Sequence, residues 1–332
     1  MITMRKTNKI IAVLSAVAIV GMGTAGFSIL TAQADDVANI SESIAEETTV
    51  TTKNNNAVVN YFETPATTVN LKVAPENITD RKTLLTMIIN SIDYFNTASG
   101  TFRETVAGQE YTATFATFAT DMTTSTAYEK INSGDREVEM YTQNGRTVEI
   151  DNTNSTMTNT DFTAQRDNAL VENPSPDIFE YNITTDEQGI PTYIGREQAT
   201  CLSVSRAVVQ PTEISFNLLA DFSNWEITGY DEYLGRECIS VKGIANPYAS
   251  EKFNVTTFEL KVDAKTGMLL SYEGYGENGE LNDYMIVDEI HIDEQDTDIK
   301  KTVTDKFNQN IEKYSTFNGY DETSVKLMLG SY

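Results

Sequence analysis

The sequence predicts an α+β fold that is mainly β. Three observations lead there: hydrophobic runs with a period of two, turn residues set between them, and an amphipathic helix ahead of them. The helix is read over Thr79 to Asn96. Asn77 or Thr79 can cap its first amides, Leu85, Ile88, Ile89, Ile92 and Phe95 share one face, and Ser99-Gly100 ends it. From Thr101 to Thr156 the pattern is that of a meander. Tyr111, Ala113 and Phe115 alternate with threonines, Asn132-Ser133-Gly134-Asp135 turns the chain, and Val138 and Met140 precede the hairpin signal Asn144-Gly145, with Val148 and Ile150 beyond it. Short turns between such strands make sequence neighbours into sheet neighbours.

The pattern weakens from Met157 to Pro211, where Pro174, Pro176 and Pro191 predict a long excursion with one or two helical turns capping an open sheet. After Pro211, Ile214, Leu218 and Phe222 fall on one helical face. Trp225 to Asp293 then reads as consecutive antiparallel strands. Phe258, Leu260 and Val262 alternate with Glu259 and Lys261, Asp263 to Gly267 turns the chain, and Met268 to Tyr275 returns. Asn278-Gly279 opens a last strand with Tyr284, Ile286, Ile290 and Ile292 as an every-other set interrupted at Asp288. Asp296 to Tyr314 reads as a charged helix carrying Val303, Phe307 and Ile311, with nothing in the sequence to say where it docks.

Residues 1–34 have a basic start (Arg5, Lys6, Lys9), an apolar body from Ile10 to Leu30 and a small-x-small site, Ala32-Gln33-Ala34. This is the pattern of a secretory signal. Its apolar body is also long enough to span a bilayer, so an N-terminally anchored protein facing outside is the alternative. Residues 35–78 form an acidic, Thr- and Asn-rich spacer with little apolar area to offset ordering. The domain organisation is therefore a signal (1–34), a spacer (35–78), a folded domain (79–293) and a charged C-terminal helix or tail (294–332). The formal net charge is −25, and loss of the signal makes it more negative. Without a basic run after Lys9, nucleic acid is excluded as a partner and an anionic membrane surface is disfavoured. The only two cysteines, Cys201 and Cys238, are expected to form a disulfide in an exported chain.

Catalytic patterns are scarce. The one histidine, His291, stands near Glu289 and Asp293, which is more simply a surface histidine among carboxylates than a metal ligand or triad base. There is no His-Glu-x-x-His, no Gly-x-Ser-x-Gly elbow and no phosphate-binding glycine loop. The carboxylates Asp288, Glu289, Asp293, Glu294, Asp296 and Asp298 have the oxygen chemistry of a calcium site without an EF-hand loop, and solvated charge is the simpler reading. The chain is read as a non-enzyme without cofactor or metal.

The runs Trp225-Glu226-Ile227-Thr228-Gly229, Gly235-Arg236-Glu237-Cys238, Phe258 to Gly267 and Leu269-Leu270, with Glu273-Gly274-Tyr275 and Gly279, resemble the C-terminal half of LolA-like proteins. That superfamily includes the periplasmic lipoprotein carrier and the RseB/MucB regulators of an envelope-stress sigma factor. The resemblance implies an incomplete antiparallel β-barrel with helices across its concave face, binding a lipid, an acyl chain or an apolar peptide. The alternative it implies is a regulatory domain acting on a membrane anti-sigma factor or another envelope protein. With the alternating apolar positions, it suggests Phe115, Met140, Ile150, Phe216, Trp225, Phe258 and Leu260 as ligand-lining residues. The carrier's early strand pattern with Pro and Arg has no counterpart between Thr101 and Ile150, so lipoprotein shuttling does not follow. One expectation is directly measurable: N-terminal sequencing of the exported protein should begin at Asp35, and a chain that retains residues 1–34 would make this segment an anchor.

Overall fold

Turn chemistry and strand pairing decide the architecture, which a computed structural model describes for residues 72–105, 113–162, 183–185, 191–193, 200–294 and 298–330. The signal and all but the end of the spacer lie outside the described residues, as do Tyr111, Pro174, Pro176 and Asp296. Six consecutive antiparallel strands form the first meander: β1 (Thr97–Thr105), β2 (Ala113–Asp121), β3 (Thr126–Ser133), β4 (Arg136–Gln143), β5 (Arg146–Asp151) and β6 (Thr156–Asp161). Asn144 (φ 51°) and Gly145 (φ 72°) make the left-handed pair of a tight hairpin, as their dipeptide predicts. The small ladder β7 (Ile183–Thr185) and β8 (Pro191–Tyr193) stands apart.

The second meander is β9 (Trp225–Tyr233), β10 (Arg236–Ile244), β11 (Thr257–Asp263), β12 (Leu269–Tyr275) and β13 (Leu281–Ile292). At its β11–β12 turn, Asp263 Oδ1 accepts from the amides of Lys265 (3.1 Å) and Thr266 (2.8 Å). Gly267 (φ 74°) completes that turn, and a Cβ there would lie 2.6 Å from the Met87 carbonyl oxygen, so this glycine also permits close approach to a helix. The two meanders join through β1 and β13 into one eleven-stranded sheet, β6-β5-β4-β3-β2-β1-β13-β12-β11-β10-β9. The sheet stays open, since its edges β6 and β9 do not pair with each other.

Strand register assigns each residue to a face. Phe102, Ala116, Phe118, Val287, Leu260 and Phe258 mark what we term the inner face. It is covered by α1 (Arg81–Ile89), α2 (Arg206–Val209), α3 (Thr212–Leu218) and α4 (Pro247–Phe253), whose Leu85, Ile88, Val208, Phe216 and Phe253 join the same core. A second core lies on the outer face of the first meander. Ala119, Tyr128, Tyr141, Val148, Ile150 and Met157 there meet α5 (Ile299–Gln309), α6 (Ile311–Tyr314) and α7 (Glu322–Leu329) through Val303, Phe307, Tyr314, Val325 and Met328. The buried Glu139 carboxylate ties this layer down. It accepts from the hydroxyls of Tyr141 (2.5 Å) and Tyr314 (3.0 Å) and from the Asn152 amide (2.8 Å). No helix among the described residues is long and apolar enough to cross a membrane.

Four expectations change. The first helix is shorter than predicted: Asp80 caps α1 by accepting from the Thr83 amide (2.8 Å), and a 3₁₀ turn follows at Ser91–Asp93. Ser99-Gly100 belongs to β1 instead of ending a helix, because a Cβ at Gly100 would lie 2.1 Å from the Glu289 carbonyl oxygen, so only glycine fits that close strand approach. The every-other set of β13 is not one face. A bulge opposite Thr101/Phe102 shifts the parity, so Met285 and Val287 are buried before it, Ile290 and Ile292 turn inward after it, and Tyr284 and Ile286 point outward.

The fourth change concerns Cys201 and Cys238, which are free thiols and not a disulfide. Cys201 lies beside the Thr147 and Thr142 side chains of β5 and β4, whereas Cys238 lies on β10. Six strands, each about 4.8 Å wide, stand between β4 and β10, and a disulfide requires Cα atoms within about 7 Å. Burial raises the Cys238 thiol to about 12, so it is inert at neutral pH. The outer core supplies a test of the helical layer: Phe307→Ala, which empties a fully buried site between α5 and the sheet, should cost about 3–5 kcal/mol by chemical denaturation.

Candidate binding face

The seven suggested lining residues do not share one surface. Met140, Trp225, Phe258 and Leu260 lie on the inner face, and Phe216 of α3 packs down on it. Phe216, Trp225, Phe258 and Leu260 are each 3% exposed or less, and the Trp225 indole N–H is spent on the Leu219 carbonyl (3.0 Å). Phe115 and Ile150 have the opposite parity. Phe115 is 54% exposed on the outer face between Arg103 and Asn132, and Ile150 is buried under the C-terminal helices. The alternation around Phe115 is genuine, but its inward members are Thr114, Ala116 and Phe118.

The inner face carries carboxyls that the sequence pattern did not single out. Glu129, buried among β2, β3 and β4, accepts from the amides of Ser203 (2.7 Å) and Ser205 (2.6 Å) and from the Ser205 hydroxyl (2.5 Å), which pins the chain entering α2. Burial raises its pKa against the pull of those bonds. Asp283 accepts from the Thr105 hydroxyl and is likewise raised by burial. Glu104, inward on β1 beside Phe102, is raised to about 8, first by burial and then by the negative charges of Glu129, Asp283 and Glu213. Of the nearby cations among the described residues, Lys252 pairs with Glu213 (2.6 Å), and the Arg206 guanidinium is lowered by its burial against the raising charge of Glu213. Parity could have found Glu104, since it shares the face of Phe102 two residues away.

This region therefore offers a carboxyl raised to about 8, two hydrogen-bonded acidic side chains and polar side chains in a largely buried setting. That is recognition chemistry. Among the described residues no group of three or more His, Cys, Asp or Glu is placed to hold a metal ion. The acidic run near the end of β13 is dispersed over other tasks. Asp293 Oδ1 accepts from the amides of Asn96 and Thr97 (2.8 Å each), Asp298 caps α5 through the Lys301 amide (2.8 Å), and Asp288 faces Arg103 (3.5 Å). His291 is bracketed by Glu289 (2.9 Å) and Glu294 (2.7 Å), not by Asp293. On the outer face of β9–β12 a groove of about 250 Å³ is lined by Thr228, Ser240 and Glu273 and by the ion pairs Lys242–Glu259 and Lys261–Asp231.

No protein-family model matches the sequence, and no curated protein does. Among solved structures the chain is similar to MucB, with 12% identity and a TM-score of 0.34 over 65% of this chain and 59% of that one. It is similar to the MucA/MucB complex of Pseudomonas aeruginosa at 13% identity and a TM-score of 0.35, covering 68% and 60%. The lipoprotein LppX of Mycobacterium tuberculosis gives 8% and 0.25, covering 65% and 97%. The chain spans about 60% of the length of the MucB structures it matches. At such low identity and superposition, no residue role or activity passes to this chain.

Two pH effects follow from the carboxyls and the histidine. Because the folded pKa of Glu104 lies above its unfolded value, its favourable contribution is complete below about pH 4.5 and is lost as pH rises toward 8. Glu104→Gln should therefore raise the melting temperature more at pH 8 than at pH 5; an equal shift at both would contradict this placement. His291 is raised above 6.5 by hydrogen bonds to Glu289 and Glu294, so its contribution is present below 6.5 and fades as pH climbs through the folded value. Its NMR titration midpoint should exceed 6.5 and fall in Glu289→Gln.

Proposed function

We infer that this is an exported, non-enzymatic binding protein of the cell envelope whose open half-barrel engages a polypeptide partner. The observation that carries the choice of partner is the filling of the inner face. The residues suggested for an acyl chain over β9–β13 are already packed against α1, α3 and α4, and the remainder of that face carries the half-buried Glu104 among the buried Glu129 and Asp283. An acyl chain laid over Glu104 would remove water from its carboxyl without replacing the lost hydrogen bonds. A polypeptide brings its own donors. An envelope regulatory protein is the kind of partner implied by the sequence resemblance to RseB/MucB-type regulators, and the exposed outer face around Phe115 offers further contact area.

Lipid and polypeptide separate experimentally. Protein purified gently from envelopes should release no stoichiometric fatty acid or phospholipid into organic solvent. Trp225 emission should not saturate on titration with oleate or phosphatidylglycerol vesicles. A photo-crosslinking residue at Phe115 or Ser133 should capture a discrete envelope polypeptide in vivo. One equivalent of bound lipid together with a saturable Trp225 response would replace this reading with lipid carriage.

A further inference from the structure

We propose that Glu104, Asp283 and Tyr272 form a receptor for a cationic side chain, a lysine ammonium or arginine guanidinium, presented by the polypeptide partner; this rests on the binding reading above. The three residues are neighbours by register. Glu104 on β1 pairs with Met285 on β13, Met285 pairs with Tyr272 on β12, and Asp283 is the next inward residue of β13, opposite Gly274. Gly274 leaves the space the tyrosine needs: a Cβ there would stand 2.7 Å from the Tyr272 hydroxyl oxygen. Tyr272 is 2% exposed, and its hydroxyl lies beside Asp283 without completing a well-formed hydrogen bond. A buried hydroxyl left in this condition is costly unless something else satisfies it.

The charge balance points to the class of ligand. Among the described residues the charges acting on Glu104 are those of Glu129 from β3, Asp283 from β13 and Glu213 from α3, all acidic, while Lys252 of α4 pairs with Glu213 and Arg206 of α2 feels the charge of that same carboxylate. No cation of the described residues acts on Glu104. An anion would add to this repulsion, and an apolar group would leave the Glu104 carboxyl and the Tyr272 hydroxyl unsatisfied. A nitrogen cation supplies both the missing charge and several N–H donors, giving charge-assisted hydrogen bonds to Glu104 and Asp283 while accepting nothing in return. A bare metal ion suits the site less well, since the described residues include no three-ligand group. The bound form pairs the cation with ionised Glu104, so at neutral pH the proton of the Glu104 carboxyl passes to solvent as the cation enters. Affinity then rises by up to about tenfold per pH unit between pH 6 and 8.

The test uses the mature protein and two blocked peptides, acetyl-Ala-Lys-Ala-amide and its neutral isostere acetyl-Ala-norleucine-Ala-amide. Side-chain carboxyl NMR should show saturable shifts of Glu104 and Asp283 with the lysine peptide only, and binding should strengthen between pH 6 and 8. Glu104→Gln should weaken it at least tenfold, Tyr272→Phe several-fold, and Glu259→Gln on the outer face by less than twofold, with circular dichroism confirming that each variant is folded. Equal binding of the norleucine peptide, equal loss in Glu259→Gln, or no saturable shift would overturn the proposal. The crosslinked envelope polypeptide separates this from the broader reading. If that partner binds Glu104→Gln as tightly as the wild type, the cation receptor is wrong and polypeptide binding stands. If the lysine peptide binds as expected while no polypeptide is captured, the receptor stands and the partner class must be sought anew.

Discussion

The pairing of β1 with β13 is the contact on which the rest of the molecule depends. Each meander can form from neighbouring strands, but neither becomes part of the eleven-stranded sheet until Thr97–Thr105 meets Leu281–Ile292. Several local features serve that seam. Gly100 admits the Glu289 carbonyl, and Asp293, held at φ 50°, accepts from the amides of Asn96 and Thr97 while its own amide donates to Thr97 (3.0 Å). A pairing so distant in sequence closes a long loop before its contacts repay the entropy, so its formation is intrinsically slow. The same seam brings Glu104 beside Asp283.

The two faces of the sheet solve different problems. On the inner face, α1 to α4 bury one large apolar core over the second meander and leave the carboxyls toward the first. On the outer face, α5 to α7 cover only the first meander, so β2 and β3, with Ala116, Phe118 and Ala127 in the inner core and Ala119 and Tyr128 in the outer one, are sandwiched between layers. Glu139 and Glu129 show how buried carboxylates are tolerated in such a sandwich. Each is surrounded by donors, tyrosine hydroxyls and an amide in one case and backbone amides with a serine in the other. Glu104 has no such donor among the described residues, and this sets it apart chemically from its neighbours.

Much of the fold was legible because its signals are local. Asn144-Gly145, the Asp263 to Gly267 turn and Asn278-Gly279 are set by short-range backbone demands, and each lies where the sequence places it. Val303 and Phe307 likewise announce the face of α5, although not the surface that receives it. The failures are tertiary. An alternating strand flanked by cover on both sides hides which parity faces which core, and Phe115 and Ile150 lie on the face opposite Met140, Trp225, Phe258 and Leu260. The bulge opposite Phe102 depends on a partner strand far away in sequence, and the separation of Cys201 from Cys238 depends on the order of the whole sheet. The inner carboxyls were missed because acidic residues are abundant, and only register distinguishes Glu104 from a solvated glutamate.

The placement of the aromatic residues gives the molecule two separate optical reporters. Its single tryptophan, Trp225, belongs to the inner core, whereas Tyr128, Tyr141 and Tyr314 are stacked in the outer one. Tryptophan emission therefore follows the collapse of one layer and is blind to release of the C-terminal helices. Near-ultraviolet tyrosine dichroism senses that release directly. Coincident transitions by the two signals would mean a single cooperative unit, while an earlier tyrosine transition would identify a partly unfolded species in which the sheet persists without its outer helical cover.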